Sequence, residues 1–377
     1  MRAAHETLPT QLTAPPESPG RIAEGATPPV QIGMIGLGYW GPNLLRNLGE
    51  LANAEIRYAC DLDPNALAAI GRRYPGIRLT TERLELLQDP EVEAVVIATP
   101  ASSHFSLARE ALQAGKHVFV EKPLATSSAM AGELIRLAAA GGLVLMPGHT
   151  FLYSPPVNAI KDLIDSQQLG EIYFITSSRV NLGLHQPDAS VIWDLGPHDF
   201  AIIRYWLGEN PDTVSALSRS CIIPGVPDVA FVNLRFPAGT IAHIELAWLA
   251  PSKLRRTAIV GSRRMVVYDD MSREPVRIFD AGVMPPDPET FGEFKLTYRT
   301  GDIVSPSIEA REPLTLEMQD FCRCIRESAT PRSSADLGLE VVRIAEAVDL
   351  ALRLRSEVPL GRSAPSPQQH SFPPEPE

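Results

Sequence analysis

Three glycines at a fixed spacing, Gly36, Gly38 and Gly41, constrain the fold of this chain more than any other feature. They follow a short apolar run over residues 32–35 and precede a segment whose leucines share one helical face: Leu44, Leu45, Leu48 and Leu51. A strand, a glycine turn and a helix in this order form the context that a dinucleotide site requires. Gly36 allows the tight turn, Gly38 lets the backbone approach a pyrophosphate, and Gly41 lets the helix lie close to the strand. Alternatively, the glycines serve only packing in a strand-to-helix turn.

Composition limits the class of protein. The chain has 377 residues, 44% hydrophobic and 21% charged, which is typical of a globular protein with two domains. The net charge of −11, without a long basic run, argues against nucleic acid or a membrane surface as a partner. The four cysteines form no CxxC pair and no zinc-site spacing, so no metal is predicted. Because no signal peptide or membrane-spanning run is recognisable, we expect a reducing cytoplasmic location.

The pattern divides the chain into four parts. Residues 1–29 and 362–377 are rich in proline and poor in large apolar residues, so both are predicted to be disordered tails. Residues 30–149 alternate between short apolar runs and amphipathic segments, which predicts a doubly wound parallel sheet that binds the dinucleotide. Residues 150–361 are predicted to form a second α/β domain with a large, mostly antiparallel open sheet, for substrate binding and oligomerisation. Its predicted strands are 171–181, 213–218, 229–236, 241–248, 256–260 and 264–268, and its predicted helices are 156–166, 200–207, 315–327 and 336–355.

Polar residues follow several of the predicted parallel strands, at the edge where such sheets bind ligands. Asp61 ends the second strand, where an acidic residue binds the adenosine ribose hydroxyls and favours NAD over NADP. Asp63 competes for that role, and either aspartate could instead belong only to a turn. Thr99, Pro100 and His104 follow the fourth strand and are predicted to line the cofactor crevice.

Two further groups carry residue types suited to proton transfer. Glu121, Lys122 and Pro123 end the fifth strand, where the lysine would face the nicotinamide end of the cofactor and a substrate hydroxyl; a surface lysine is an equal alternative. Asp194 and His198 are four residues apart, so a helix starting there would place them on one side, with the carboxylate orienting the imidazole. Alternatively, Asp194 caps the helix and His198 is structural.

In this order, the motifs GLGYWG, CDLDP, EKP and WDLGPHD closely resemble those of the Gfo/Idh/MocA oxidoreductases, and the resemblance covers residues 30–361. It implies an N-terminal Rossmann domain, a C-terminal α/β domain whose open sheet often forms the oligomer interface, and hydride transfer between a nicotinamide cofactor and a sugar or cyclitol. By motif, the resemblance implies that Lys122 contacts the substrate hydroxyl and the nicotinamide ribose, and that the peptide between Lys122 and Pro123 is cis, as is common in the family. It also implies that His198 is the general base or acid, with Asp194 at the acidic position of the same motif. The cofactor residues implied are Gly36, Gly38, Tyr39, Trp40, Gly41, Asp61, Thr99, Pro100, His104, Glu121 and Lys122.

The longer wording YWGPNLLRNL and RVNLGLHQPDASVIWDLGPHD is similar to the sugar-nucleotide branch. That similarity implies NAD-dependent oxidation at C3 of UDP-N-acetylglucosamine or its uronate. The alternatives are a ketoreductase of a nucleotide-linked keto-deoxysugar, a dehydrogenase of a free sugar or cyclitol, and a non-catalytic dinucleotide sensor. Many family members carry a glycine-rich run before the aspartate where this chain has DASVIW, which weakens transfer from the inositol branch.

Tyr153, Arg179 and Asn181 lie on segments that should face the substrate. We expect Arg179 to meet a diphosphate or sugar carboxylate through bidentate hydrogen bonds, although an ordinary strand arginine is as good an interpretation. The open sheet of the second domain would leave an apolar face, so a homodimer or homotetramer is expected.

Overall fold

The computed structural model describes residues 28–183, 185, 189–284 and 297–361. The predicted disordered tails lie outside the described residues, apart from Pro28 and Pro29 of the first and none of the second. No helix in the described ranges is long and apolar enough to cross a membrane.

The first layer is a six-stranded parallel sheet in the order β3-β2-β1-β4-β5-β6, which confirms the predicted doubly wound fold. Its strands are β1 (Val30–Ile35), β2 (Ala54–Cys60), β3 (Arg78–Thr80), β4 (Ala94–Ile97), β5 (His117–Glu121) and β6 (Leu145–Gly148). Its helices are α1 (Gly41–Gly49), α2 (Pro64–Arg73), α3 (Arg83–Gln88), α4 (Ala101–Gln113) and α5 (Ser128–Gly141). Every residue of β4 is buried, as the continuous apolar run AVVI requires for a strand covered on both faces.

The second sheet has nine strands in the order β14-β13-β12-β11-β7-β10-β9-β8-β15. Its strands are β7 (Ile172–Leu182), β8 (Thr213–Arg219), β9 (Val229–Arg235), β10 (Ile241–Ala247), β11 (Leu249–Gly261), β12 (Met265–Asp269), β13 (Val276–Met284), β14 (Thr297–Val304) and β15 (Val358–Pro359). All neighbouring pairs are antiparallel except β7 with β10, which are parallel. A mostly antiparallel open sheet is therefore confirmed.

The helices of the second part cover one face of this sheet and return to the first sheet. They are α6 (Pro155–Asp165), α7 (Val191–Asp194), α8 (Gly196–Leu207), α9 (Pro313–Glu327) and α10 (Ala335–Leu354), with a 3-10 turn at Thr150–Tyr153 before them. Phe321 of α9 packs edge-on against Phe119 of β5, with 5.8 Å between the ring centroids. Arg326 donates two hydrogen bonds to the Glu93 carboxylate, 2.6 and 2.8 Å long. These contacts hold the two sheets in one fixed arrangement.

The prediction missed β13 and β14. Both strands contain residues that disfavour strands, Asp280 and Gly282 in β13 and Gly301 in β14. The register between them shifts at Phe279/Ala281, and a Cβ on Gly301 would lie 2.7 Å from the Asp280 carbonyl oxygen. Gly301 makes β14 look unlike a strand in the sequence, but the irregular pairing of β14 with β13 requires a glycine there.

Candidate active site

The glycine loop has the shape that its sequence predicts. Gly36 has φ of +95°, and a Cβ on it would lie 2.6 Å from the Ala98 carbonyl oxygen. A Cβ on Gly41 would lie 2.3 Å from the Gly36 carbonyl oxygen, so α1 approaches β1 as closely as only glycine permits. A Cβ on Gly38 would meet no protein atom within 4 Å, because this glycine borders open space.

Helix α1 begins at Gly41 without a side-chain cap and with a proline in its first turn. The Asn43 and Leu44 N–H groups donate to the Trp40 carbonyl oxygen at 3.0 and 3.1 Å, and Pro42 has no N–H, so the positive end of the helix dipole is what the helix offers an anion. Tyr39 and Trp40 stand just before it, largely exposed and packed edge-on against each other at 5.7 Å. This combination suits a pyrophosphate.

A cavity of about 440 Å³ opens beside this loop. Its lining combines the loop with the ends of β2 and β4 and the start of α4: Ile35, Gly36, Gly38, Cys60, Asp61, Leu62, Thr81, Arg83, Ala98, Thr99, Pro100, Ser102, Ser103 and Leu107. The Asp61 carboxylate accepts the Leu37 N–H at 2.6 Å and the Asp63 N–H at 2.8 Å, which ties the loop to β2. Asp63 caps α2 by accepting the Asn65 N–H at 2.9 Å. The structure therefore places Asp61 at the cavity and Asp63 in a capping role.

His104 was predicted to bind the cofactor, and the structure places its ring elsewhere. The imidazole is buried, with Nδ1 2.8 Å from the Pro123 carbonyl oxygen and Nε2 2.8 Å from the Thr99 carbonyl oxygen. Both ring nitrogens are thus occupied by backbone. His104 joins the end of β4 to the loop after β5 and so acts on the crevice only through these segments.

Lys122 is held by Asp194 across the two domains. Its Nζ donates to the Asp194 carbonyl oxygen at 2.8 Å and to Oδ1 at 3.0 Å, and its peptide to Pro123 is cis. The other carboxylate oxygen, Oδ2, accepts from the buried Trp248 Nε1 at 3.1 Å. Because 13% of the Lys122 side chain stays exposed, the ammonium is fixed yet reachable.

No hydrogen bond joins Asp194 to His198 among the described residues, so the predicted orientation of the imidazole by Asp194 has no direct contact to support it. Asp194 ends the short helix α7, whereas His198 lies in the first turn of α8, and both Asp194 oxygens are already bonded to Lys122 and Trp248. His198 Nδ1 is buried without a hydrogen-bond partner among the described residues. Its ring instead packs edge-on against Phe151, with 5.1 Å between centroids.

The surroundings of His198 favour the neutral imidazole. Burial lowers the pKa of His198 well below its usual value, and the positive charges of Lys122 and Arg179 lower this pKa further. A neutral imidazole can accept a proton, as a general base requires.

Three buried titratable residues, Glu121, His149 and Glu317, lie near Lys122. The Glu121 carboxylate accepts the Lys122 backbone N–H at 3.2 Å, and burial raises the pKa of Glu121 to about 7. Burial, assisted by the Lys122 charge, lowers the pKa of His149 to about 3, and neither of its ring nitrogens has a partner in the described ranges. Glu317 is fully buried, accepts from Thr150 Oγ1 at 2.6 Å and has a raised pKa, again chiefly from burial.

Tyr153, Arg179 and Asn181, which were also expected to face the substrate, lie in different positions. Arg179 is buried and donates from Nε to Asp199 Oδ2 at 2.5 Å, so one edge of its guanidinium is already bonded within the protein. Asn181 Oδ1 is buried without a partner in the described part of the chain, two residues further along the same strand. Tyr153 faces away: its hydroxyl donates to Asp320 at 2.7 Å and accepts the Ser333 N–H at 3.1 Å. The Tyr153 hydroxyl is therefore engaged within the protein, and its binding of substrate stays a prediction.

Sequence reasoning missed several residues around Lys122 and His198, namely Phe151, His149, Trp248 and Arg255. His149 directly follows β6, so the rule that ligands lie at the carboxyl ends of parallel strands could have found it. Phe151 and Trp248 look like core residues in the sequence, and Arg255 lies in a strand whose pairing no local pattern predicts.

Comparisons with known proteins agree with this geometry. Residues 30–149 match the family described as "Oxidoreductase family, NAD-binding Rossmann fold", and residues 157–267 match the "GFO/IDH/MocA C-terminal domain". Inositol 2-dehydrogenase 2 of Paenarthrobacter aurescens is 30% identical over 58% of this chain and 68% of its own length. The scyllo-inositol 2-dehydrogenase (NAD(+)) of Bacillus subtilis is 25% identical over 80% and 88%. A provisionally assigned oxidoreductase from Magnetospirillum magnetotacticum superposes with a TM-score of 0.73 and 30% identity, over 85% of this chain and 99% of that one.

The fold and the glycine loop define an NAD-dependent oxidoreductase. The chain belongs to the Gfo/Idh/MocA family, as its two consecutive domain matches and its 30% identical relatives show. NAD is its cofactor. Among the described residues, no group of three or more His, Cys, Asp or Glu side chains is arranged to hold a metal ion.

Proposed function

We propose that this enzyme transfers hydride between NAD and C3 of a nucleotide-linked amino sugar, with UDP-N-acetylglucosamine or its uronate as the leading substrates. One observation carries the proposal: a reachable lysine ammonium and a neutral histidine lie together where β5 ends and α8 begins. Lys122 is fixed by Asp194, and the charge of Lys122 contributes to the lowered pKa of His198. Two such groups suit the oxidation of a secondary alcohol, which releases one proton and one hydride.

In the oxidative direction, His198 accepts the hydroxyl proton while the carbinol carbon loses its hydride. Lys122 donates a hydrogen bond to the same oxygen and stabilises the negative charge that develops on it. Asp194 and Trp248 hold the Lys122 ammonium in place and so act as positioning residues. When bound, NAD accepts the hydride at its nicotinamide ring, and the products are a ketone, NADH and a protonated His198.

The cofactor would lie along the carboxyl edge of the parallel sheet. The loop from Gly36 to Gly41 and the N-terminus of α1 would hold the pyrophosphate, Asp61 would bond the adenosine ribose, and Thr99 and Pro100 would line the crevice. Tyr39 and Trp40 would flank the pyrophosphate, and Glu121 would support the nicotinamide end through its contact with the Lys122 backbone.

Two observations bear on the substrate. The wording of residues 179–199 resembles the sugar-nucleotide branch, and this resemblance favours a nucleotide-linked sugar. The inositol dehydrogenases among the relatives favour the second candidate, a free cyclitol or sugar. Either substrate could also be the product of the reverse reaction, reduction of a ketone by NADH.

A panel assay separates these candidates. Absorbance of reduced nicotinamide is followed with NAD and UDP-N-acetylglucosamine, its uronate, the matching free sugars, and myo- and scyllo-inositol. An increase with the UDP-linked sugars alone supports the proposal, and an increase with inositols or free sugars contradicts the nucleotide requirement. Loss of absorbance when NADH meets a 3-keto nucleotide sugar, without activity in the other direction, assigns the enzyme as a ketoreductase.

We also propose a homodimer or homotetramer assembled through the outer face of the second sheet. Exposed apolar side chains adjoin there across paired strands: Phe174 lies opposite Ile241, and Leu217 opposite Phe231. A patch of this kind on a sheet face that no helix of the described residues covers suits burial by a second copy. The four cysteines are unpaired, which fits the proposed cytoplasmic location.

A further inference from the structure

Two arginines lie directly opposite each other on the inner face of the second sheet, next to His198. In the antiparallel pairing of β7 with β11, Arg179 is the partner of Arg255. The preceding pairs on this face are Ile175 with Ile259 and Ser177 with Thr257, the latter hydrogen-bonded at 2.8 Å. The face thus changes from apolar to polar to doubly cationic as β7 approaches the active site.

Like charges directly opposite each other on a sheet are destabilising, so this pair needs compensation. Each guanidinium has one carboxylate: Arg179 Nε bonds Asp199 Oδ2 at 2.5 Å, and Arg255 Nη1 bonds Asp270 Oδ2 at 3.2 Å. Neither contact is the two-pronged arrangement that an arginine and a carboxylate prefer. Arg179 Nη1 remains buried without an acceptor among the described residues.

The two arginines differ in access. The Arg179 side chain is 5% exposed, whereas the Arg255 side chain is 30% exposed. Arg255 is therefore the more accessible of the two guanidinium groups. This assignment differs from the sequence prediction, in which Arg179 alone would meet the anion.

Phe151 connects the pair to the proposed catalytic base. Its ring centroid lies 4.7 Å from Arg179 Cζ, 5.7 Å from Arg255 Cζ and 5.1 Å from the His198 ring centroid. A molecule that bonds Arg255 and spans the Phe151 ring therefore reaches His198.

We propose that Arg255, backed by Nη1 of Arg179, is an anion subsite that binds a carboxylate or phosphate group of the substrate beside His198. The inference rests on the proposed function in one respect, that the anion is part of the sugar substrate. It restricts that substrate to acidic or phosphate-bearing sugars, and it excludes neutral cyclitols as good substrates. A carboxylate on the sugar ring and a phosphate linked to it are the two sources of such an anion.

The chain offers a matched control. Arg256 is the next residue of β11, so its side chain leaves the opposite face of the sheet. It is exposed and pairs in register with Ser178 and Asp269. Arg256→Gln removes the same charge from the same strand without touching the subsite.

The test is equilibrium binding by calorimetry to protein saturated with NADH. The probes are D-glucuronate for the carboxylate, D-glucose 6-phosphate and UDP for the phosphate, and D-glucose as the neutral sugar. We expect Arg255→Gln to weaken the binding of at least one anionic probe tenfold or more. Arg255→Lys should retain part of that affinity, and D-glucose should bind all variants equally. Weaker binding of D-glucuronate indicates a carboxylate subsite, and weaker binding of D-glucose 6-phosphate or UDP indicates a phosphate subsite. Arg256→Gln should bind every probe like the wild type.

Three results would overturn the inference: wild-type protein that binds none of the anionic probes, Arg255→Gln that binds them normally, or equal losses for neutral and anionic probes. Unchanged NADH affinity in Arg255→Gln shows that the variant is folded. Because binding is measured without turnover, anion binding through Arg255 in a protein that oxidises no sugar would contradict the proposed function and leave the subsite standing.

Discussion

His198 lies among positive charges, and this environment determines how the activity of the enzyme should depend on pH. Burial together with Lys122 and Arg179 lowers the pKa of His198 well below 6.5, so the imidazole stays neutral through the neutral range. A general base works only when deprotonated, and protonation is delayed to lower pH when the pKa falls. We predict that kcat/KM for oxidation stays constant on the acid side until the pH is well below 6.5.

Steady-state assays between pH 4.5 and 9 check this prediction. His198→Gln should lower kcat by roughly 100- to 10,000-fold and remove the acid limb. An acid limb at pH 6.5 or above in the wild type would show that the positive surroundings do not act on the base.

Glu121 links the same site to stability. Its folded-state pKa of about 7 exceeds the usual 4.5, so its contribution to stability is fully present below pH 4.5 and is lost as the pH rises towards 7. The loss should amount to about 3 kcal/mol, from a shift of this size at 1.36 kcal/mol per unit. We predict that Glu121→Gln, which cannot ionise, gains stability over the wild type at pH 8 but not at pH 4.5.

Chemical denaturation of both proteins at the two pH values measures this difference. The variant keeps an acceptor for the Lys122 N–H, so a loss of stability at both pH values would mean that the carboxylate is stabilised by contacts beyond those described.

At the scale of elements, the glycine loop and α1 form one unit. Gly41 permits the close approach of α1 to β1, since a Cβ there would lie 2.3 Å from the Gly36 carbonyl oxygen. We predict that Gly41→Ala displaces the helix N-terminus and weakens NAD binding at least tenfold, as measured by fluorescence titration.

Gly49→Ala at the other end of the same helix is the matched control, because a Cβ there meets nothing within 4 Å. It should bind NAD like the wild type. Equal affinity of all three proteins would mean that the helix N-terminus does not hold the pyrophosphate.

The elements also show where sequence reasoning succeeds and where it stops. Local sequence patterns predict the glycine loop, the parallel strands and the lysine after β5. The structure confirms the parallel sheet. The pairing of Lys122 with Asp194, distant in sequence, and of Arg179 with Arg255 depends on how two sheets meet. Strand register is set by non-local packing, so no window of residues reveals it. For this reason the sequence does not reveal the contact of Asp194 with Lys122 or the position of Arg255.

At the scale of the whole molecule, the second sheet presents one covered and one open face. Phe231 lies on the open face, stacked against His243 and opposite Leu217 on the neighbouring strand. We predict that Phe231→Arg converts the wild-type oligomer to monomers, as measured by light scattering after size-exclusion chromatography, because burying a guanidinium at such an interface carries a desolvation penalty that the Glu245 carboxylate on the neighbouring strand offsets only in part.

Leu354→Arg, at the exposed end of α10, serves as the control and should leave the oligomer intact. A monomeric wild type, or a Phe231→Arg protein of unchanged size, would place the contact elsewhere or exclude it.

In the proposed mechanism, hydride transfer depends on Lys122, the lysine after β5. The most direct test is the rate of NADH formation by wild type and Lys122→Ala, with the best substrate of the panel and with NAD affinity measured in parallel. We predict that kcat falls by roughly 100- to 10,000-fold while NAD still binds. Near-wild-type turnover in a folded Lys122→Ala protein would contradict the account, because no other described ammonium lies within hydrogen-bond distance of Asp194.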